Sequence, residues 1–226
     1  MRVLLSGVVG STAYGLARPG SDVDRLGLFA APTEEFHGLR RPTESVVRTA
    51  PDQTWHEAAK WCRLALAGNP TVTELVWLPS ELYEVRTPLG DELIGLRERL
   101  LSARAVRDSY LGYATQQLRK LAGRDRTEPA TLARAAKHAR HLVRLVEQAV
   151  ALHETGVLTI RLADPERVRE LGERIAATPD LAEGLLADAV HRLDRPGALP
   201  QAPDEAAVES WLRRVRRAHL TPAQAA

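Results

Sequence analysis

Gly10-Ser11 and Asp22-Val23-Asp24, separated by ten residues, are the groups in this 226-residue chain best suited to do chemistry. Carboxylates at i and i+2 of a strand point to one face, because side chains alternate with period two. A Gly-Ser turn that opens a helix offers backbone N–H groups and a hydroxyl to a phosphate. Mg²⁺ is usually held by one or two carboxylates together with substrate phosphates, so a phosphate cradle followed by two hard oxygen ligands is what Mg-nucleotide chemistry requires. An Asp pair beside Ser21 can also be a plain turn with an Asx cap. Its spacing from Gly10-Ser11 favours the chemical reading.

The pattern apolar-Gly-Ser, a spacer of ten residues, then Asp-apolar-Asp resembles the active-site signature of the DNA polymerase beta nucleotidyltransferase superfamily. Arg25 stands where that superfamily usually carries another apolar residue. The longer run Gly10, Ser11, Ala13, Tyr14, Gly15, Ser21, Asp22, Asp24, Gly27 and Phe29 is similar to one branch, the RNA-repair-pathway DNA polymerase beta family of predicted nucleotidyltransferases. Lys60, Asn69, Pro70 and Glu74 match a second family segment, Gly112-Tyr113-Ala114 a third, and the run from Lys137 to Leu145 a fourth. The resemblance extends from Val3 to Thr178 and fades beyond.

That resemblance implies an α/β (α+β) nucleotidyltransferase core with a small mixed sheet, spanning residues 1–100, and a mainly helical domain, residues 101–226, closing over the nucleotide. It implies transfer of a nucleoside monophosphate from ATP or another NTP to an acceptor hydroxyl, with Mg²⁺ or Mn²⁺ as cofactor. Two metal ions clamp the attacking and leaving oxygens in such sites. Gly10 and Ser11 would hold the triphosphate, and Asp22 and Asp24 the metals. A third carboxylate would complete the site by binding the metal that activates the acceptor hydroxyl: Asp52 is chosen as this third metal ligand, with Glu44 and Glu57 as alternatives, and Asp52 could instead cap the helix expected to follow it. An RNA 3′ end, in repair, is the acceptor that the family context implies. Two other readings stand beside it, an antitoxin-like protein nucleotidyltransferase (AMPylation) and a non-catalytic nucleotide-binding module.

Lys137, His141, Arg144 and Gln148 fall on one helical stripe opposite Ala135, Ala139, Leu142, Val146 and Val150. Periodicity alone describes a solvated face. The resemblance instead makes Lys137, His141 and Arg144 nucleotide-binding residues holding the β- and γ-phosphates, with Arg bidentate and Lys a point charge. Tyr113 either stacks on a base or packs between helices with its hydroxyl satisfied. Asn69 before Pro70 reads as a helix C-terminal cap.

The elements that must position these groups follow from patterning. Residues 3–9 are an apolar, branched run expected to form a buried strand, and Ser11 caps a short helix that Arg18-Pro19-Gly20 ends. Residues 23–31 form a second strand entered by Asp22 and Asp24, residues 32–42 a loop, residues 45–49 a third strand, and residues 53–67 a helix stopped by Gly68-Asn69-Pro70. Helices are expected over 110–121, 130–154, 165–177, 181–193 and 205–218, with strand-like residues at 157–162. The substrate is expected in a cleft between the two halves, since ligand pockets favour domain interfaces.

Composition narrows the class. With 44% hydrophobic and 27% charged residues the chain reads as an ordinary soluble globular protein. A net charge of +2 does not mark a nucleic-acid binder, and the cluster Arg213, Arg214, Arg216 and Arg217 reads first as a solvated helix face. Cys62 is the one cysteine, so no intramolecular disulfide forms, and the histidines lack zinc-ligand spacing. Neither a membrane-spanning run nor a signal-peptide pattern is present, so a cytoplasmic location is the default expectation.

Overall fold

The computed structural model describes residues 1–122 and 129–220. The chain opens with strand β1 (Arg2–Val9), the one-turn helix α1 (Gly10–Tyr14), strand β2 (Asp24–Ala30), a 3₁₀ turn over Thr33–His37 and strand β3 (Ser45–Thr49). Strand β4 (Asp52–Glu57) runs directly into helix α2 (Ala58–Leu66). After α3 (Pro70–Thr73) and 3₁₀ turns at Glu74–Trp77 and Ser80–Leu82 come strand β5 (Tyr83–Arg86) and helix α4 (Pro88–Gly95). The later part is helical: α5 (Ala103–Ala122), α6 (Pro129–Thr155), α7 (Pro165–Ala177), α8 (Asp180–Leu193) and α9 (Glu205–Ala218).

The five strands form one mixed sheet in the order β3-β4-β2-β1-β5, with β2 and β4 parallel and the other neighbours antiparallel. An α+β architecture is thus confirmed. The helix expected over residues 53–67 starts only at Ala58, because its first residues are recruited as β4 between β2 and β3. Residues 157–162, read as strand-like, have no strand to pair with and remain irregular, anchored by the buried Leu158 and Ile160.

Contacts divide the chain into two compact units: Met1–Leu66, Thr71–Leu100 and Pro203–Ala226 in the first, Ala67–Pro70 and Leu101–Ala202 in the second. In the first unit, Leu26 and Leu28 of β2 are buried on the sheet face that they share with Asp24. On the other face the Trp55 indole lies against Gly27, where a β-carbon would come within 2.2 Å of the ring, so glycine is needed there. Helix α9 is capped by Asp204, whose carboxylate accepts from the Ala207 amide at 3.0 Å, and it buries Val208, Trp211 and Val215.

In the second unit α6 is the central helix. Ala135, Ala139, Leu142, Val143, Leu145, Val146 and Ala149 are all buried along it. The Gly68-Asn69 segment belongs to this unit: Gly68 adopts φ +70° with its Cα packed on the Ala105 carbonyl, and the Asn69 amide donates to the Tyr113 hydroxyl at 2.8 Å. Tyr113 is therefore a half-buried packing residue with a partnered hydroxyl. Helix α7 starts at Pro165, and the Asp164 carboxylate caps it by accepting from the Arg167 amide at 2.9 Å.

Candidate active site

Three local features bring the first motif together at one end of the sheet. β1 ends at Val9, which pairs with Asp24 across the antiparallel ladder. Gly10 then turns the chain with φ +68°, a left-handed conformation that L side chains rarely adopt. A β-carbon on Gly10 would sit 2.0 Å from Asp24 Oδ2, so the missing side chain is the space that the carboxylate occupies. Helix α1 ends at Gly15 in the left-handed region, and the Ser11 carbonyl accepts from the amides of Leu16 at 2.8 Å and Ala17 at 3.0 Å.

The route to the carboxylates is a type II turn. Pro19 and Gly20 occupy its centre, Gly20 has φ +83°, and the Ser21 amide donates to the Arg18 carbonyl at 2.9 Å. The Ser21 hydroxyl accepts from the Arg18 amide at 2.9 Å, closing the turn from the other side. Asp22 leaves this turn exposed, two residues ahead of β2, and Asp24 starts the strand half-buried. Arg25, the departure from the superfamily pattern, points to the opposite face and pairs with Glu84 at 2.8 Å.

Asp52 does not cap α2. It opens β4, opposite Thr49 in the β3-β4 hairpin, and is exposed. The parallel ladder of β2 and β4 begins with Arg25 opposite Gln53, so Asp24 and Asp52 each stand one residue before that first pair, at the same end of neighbouring strands. Glu57 lies five residues further along β4, on the other face, and is buried. Its carboxylate accepts from Arg216 Nη1 at 2.6 Å, Arg216 Nη2 at 3.0 Å and the Ala59 amide at 2.8 Å. Glu44 is ion-paired with Arg63 at the surface.

Asp24, a hard carboxylate donor against a turn without a β-carbon, fits a divalent cation whose other positions are filled by phosphate oxygens and water, and the exposed Asp22 stands two residues ahead of it, outside the strand. Among the described residues, no group of three or more His, Cys, Asp and Glu side chains is arranged to hold a metal.

The second motif, in the helical unit, is not a solvated face. Lys137 is exposed, but His141 is half-buried, Arg144 is 1% exposed and Gln148 5% exposed. Arg144 donates to Gln148 Oε1 at 2.5 Å and to His141 Nδ1 at 3.2 Å, and Gln148 Nε2 donates to the Thr159 carbonyl at 3.1 Å. Burial, followed by the cations Arg144, His138, Lys120 and Lys137, pushes the His141 imidazole down to about 3, so it is neutral at physiological pH and accepts from the guanidinium. His138, which was not singled out as a ligand, joins the neighbourhood by donating to Gln117 Oε1 at 2.8 Å.

The C-terminal arginines are largely committed within the first unit. Arg213 pairs with Glu209, Arg214 with Glu92 and Arg216 with Glu57. Among the described residues, no helix is long and apolar enough to cross a membrane.

A family model described as RlaP, the RNA repair pathway DNA polymerase beta family, matches residues 1–188. The chain belongs to this family. The match takes in β1 through most of α8, and hence every candidate residue named above in both units. Membership of the RNA repair pathway DNA polymerase beta family brings with it the coarse assignment of a polymerase beta-type nucleotidyltransferase of RNA repair. No curated protein matches the chain significantly.

Proposed function

We propose that the protein is a metal-dependent nucleotidyltransferase that moves a nucleoside monophosphate from an NTP to an acceptor hydroxyl, with an RNA 3′ end as acceptor. The observation that carries this reading is the apposition of Gly10 and Asp24: the turn that would cradle a phosphate and the carboxylate that would hold its counter-cation share one van der Waals boundary.

Magnesium or manganese, when bound, supplies charge neutralisation and alignment of the phosphate oxygens. Gly10 lets the phosphate approach the backbone, and the Ser11 hydroxyl donates to a phosphate oxygen. Asp22 and Asp24 are the ligands for the cation. Of the three candidates for the third carboxylate, Asp52 is supported by its place one residue before the β2-β4 ladder, next to Asp24, whereas Glu57 is turned to the opposite face and held by Arg216. Asp52 would orient the acceptor hydroxyl and take its proton while the new oxygen–phosphorus bond forms and the bond to pyrophosphate breaks. Lys137, His141 and Arg144 of the helical unit are proposed as nucleotide-binding residues. The Arg144 guanidinium is buried and already donates to Gln148 and His141, so it would orient His141, while Lys137 is the exposed member of the set that a phosphate could reach.

Incubation of the purified protein with each α-labelled NTP and Mg²⁺ or Mn²⁺, with and without a 3′-hydroxyl RNA, tests the acceptor. Label on RNA supports the proposal. Label on protein would move the acceptor to a side chain, and no transfer with retained nucleotide binding would leave a binding module.

A further inference from the structure

We propose that Glu74 is a positioning residue for the phosphate turn, acting through Tyr14; the inference rests on the nucleotidyltransferase reading of Gly10 and Ser11. Helix α1 is five residues long and has no stability of its own, because the first helical turn is entropically costly. It must be held from outside. At its start, Gly10 follows directly on β1 and lies against Asp24. At its end, the Tyr14 ring is buried and its hydroxyl lies 2.8 and 2.7 Å from the two oxygens of Glu74, able to donate its proton to either.

Glu74 is 0% exposed, and it opens a 3₁₀ turn whose Leu75 and Val76 are 0% exposed as well. A carboxylate so deep is costly unless hydrogen-bonded, and a hydroxyl-to-carboxylate bond is among the stronger neutral-to-charged contacts. The anchor therefore sits on a rigid part of the core, sixty residues away in sequence from the element that it holds. Ala13, 0% exposed, packs the same helix, and the Tyr14–Glu74 bond adds a directed contact at its end that orients the helix and, with it, the Ser11 hydroxyl. Site groups must be held within roughly 0.5 Å to work, which gives an anchor of this kind a functional consequence.

Tyr14→Phe and Glu74→Gln in the full chain test this with two readouts. Hydrogen exchange of residues 10–17 reads the turn directly, without nucleotide, and the KM-against-kcat split for the NTP reads its consequence. Tyr14→Phe is expected to speed exchange in that segment alone and to raise the NTP KM about tenfold, the effect of one charge-assisted hydrogen bond, with a smaller change in kcat. Glu74→Gln keeps a carbonyl oxygen to accept from Tyr14, and its KM is expected within about threefold of the original. Unchanged exchange in Tyr14→Phe, or faster exchange with an unchanged KM, would overturn the proposal. A wild-type protein that takes no nucleotide would instead overturn the reading of the site, while exchange would still report the coupling.

Discussion

Gly10 and Asp24 fit against each other so closely that a single added carbon on the first would overlap Oδ2 of the second at 2.0 Å. Val9 pairs with Asp24 in the β1-β2 ladder, so the contact is set by sheet register and not by a mobile loop. The same glycine holds φ +68°. Gly10→Ala should therefore lose about 1–2 kcal/mol of stability from backbone strain alone. It should also lose transfer, because Asp24 must rotate away. Urea unfolding and the labelled transfer assay read the two effects separately; an alanine variant with full activity would show that the turn does not need this apposition.

Glu57 and Arg216 join the sheet to the C-terminal helix. The carboxylate is buried and the guanidinium is bidentate on it, with the Phe36 ring 3.9 Å from the guanidinium carbon. Removing one partner of a buried pair leaves the other uncompensated, so Arg216→Ala should destabilise by up to about 3–5 kcal/mol. Arg216→Lys should recover part of this, lacking the fork that makes two bonds. The midpoints of urea unfolding give the order; equal stability of all three proteins would show that the pair contributes nothing.

His141 makes stability pH-dependent. Its folded value of about 3 lies below the ordinary 6.5, so between these values the unfolded chain binds a proton that the folded chain refuses. Stability is therefore complete above pH 6.5 and falls as the pH drops toward 3, by up to about 2 kcal/mol between pH 6.5 and 5. His141→Gln, which does not titrate, should flatten this limb in urea unfolding at pH 7.5, 6 and 5. An unaltered slope would assign the loss to other groups.

Much of the candidate site was legible before the fold was known, and the reasons are local. The run of branched residues before Gly10, the Pro19-Gly20 turn and the spacing to Asp22 and Asp24 are signals carried by neighbours in sequence, and they led to β1 and β2; α1, by contrast, starts at Gly10 with Val9 at its N-cap and ends at Gly15, so Ser11 lies inside the helix and does not cap it. β4 was not legible. Asp52–Glu57 precedes a strongly amphipathic helix whose period continues back through Trp55, and only pairing with β2 and β3 makes the segment a strand. The buried character of Arg144 and Gln148 was hidden for a similar reason: a polar stripe looks the same facing water or turned into the protein. The bonds Tyr14–Glu74 and Glu57–Arg216 link residues too far apart in sequence for any local pattern to show.

Cys62 should be inert in the native protein. It is buried on α2, and burial, with Glu57 nearby, pushes the thiol up to about 12, leaving almost no thiolate at neutral pH. A thiol-specific chromogenic reagent at pH 8 should react with one equivalent only after unfolding in guanidinium. Rapid reaction of the native protein would place the sulfur at the surface.

Asp24→Asn tests the central claim most directly. The substitution keeps the size of the side chain and its fit against Gly10 but removes the charge that would hold the cation. Nucleotide transfer by the variant should fall roughly 10³-fold or more, with an unchanged circular dichroism spectrum and unfolding midpoint. Transfer at the wild-type rate by a folded Asp24→Asn protein would contradict the assignment of this site.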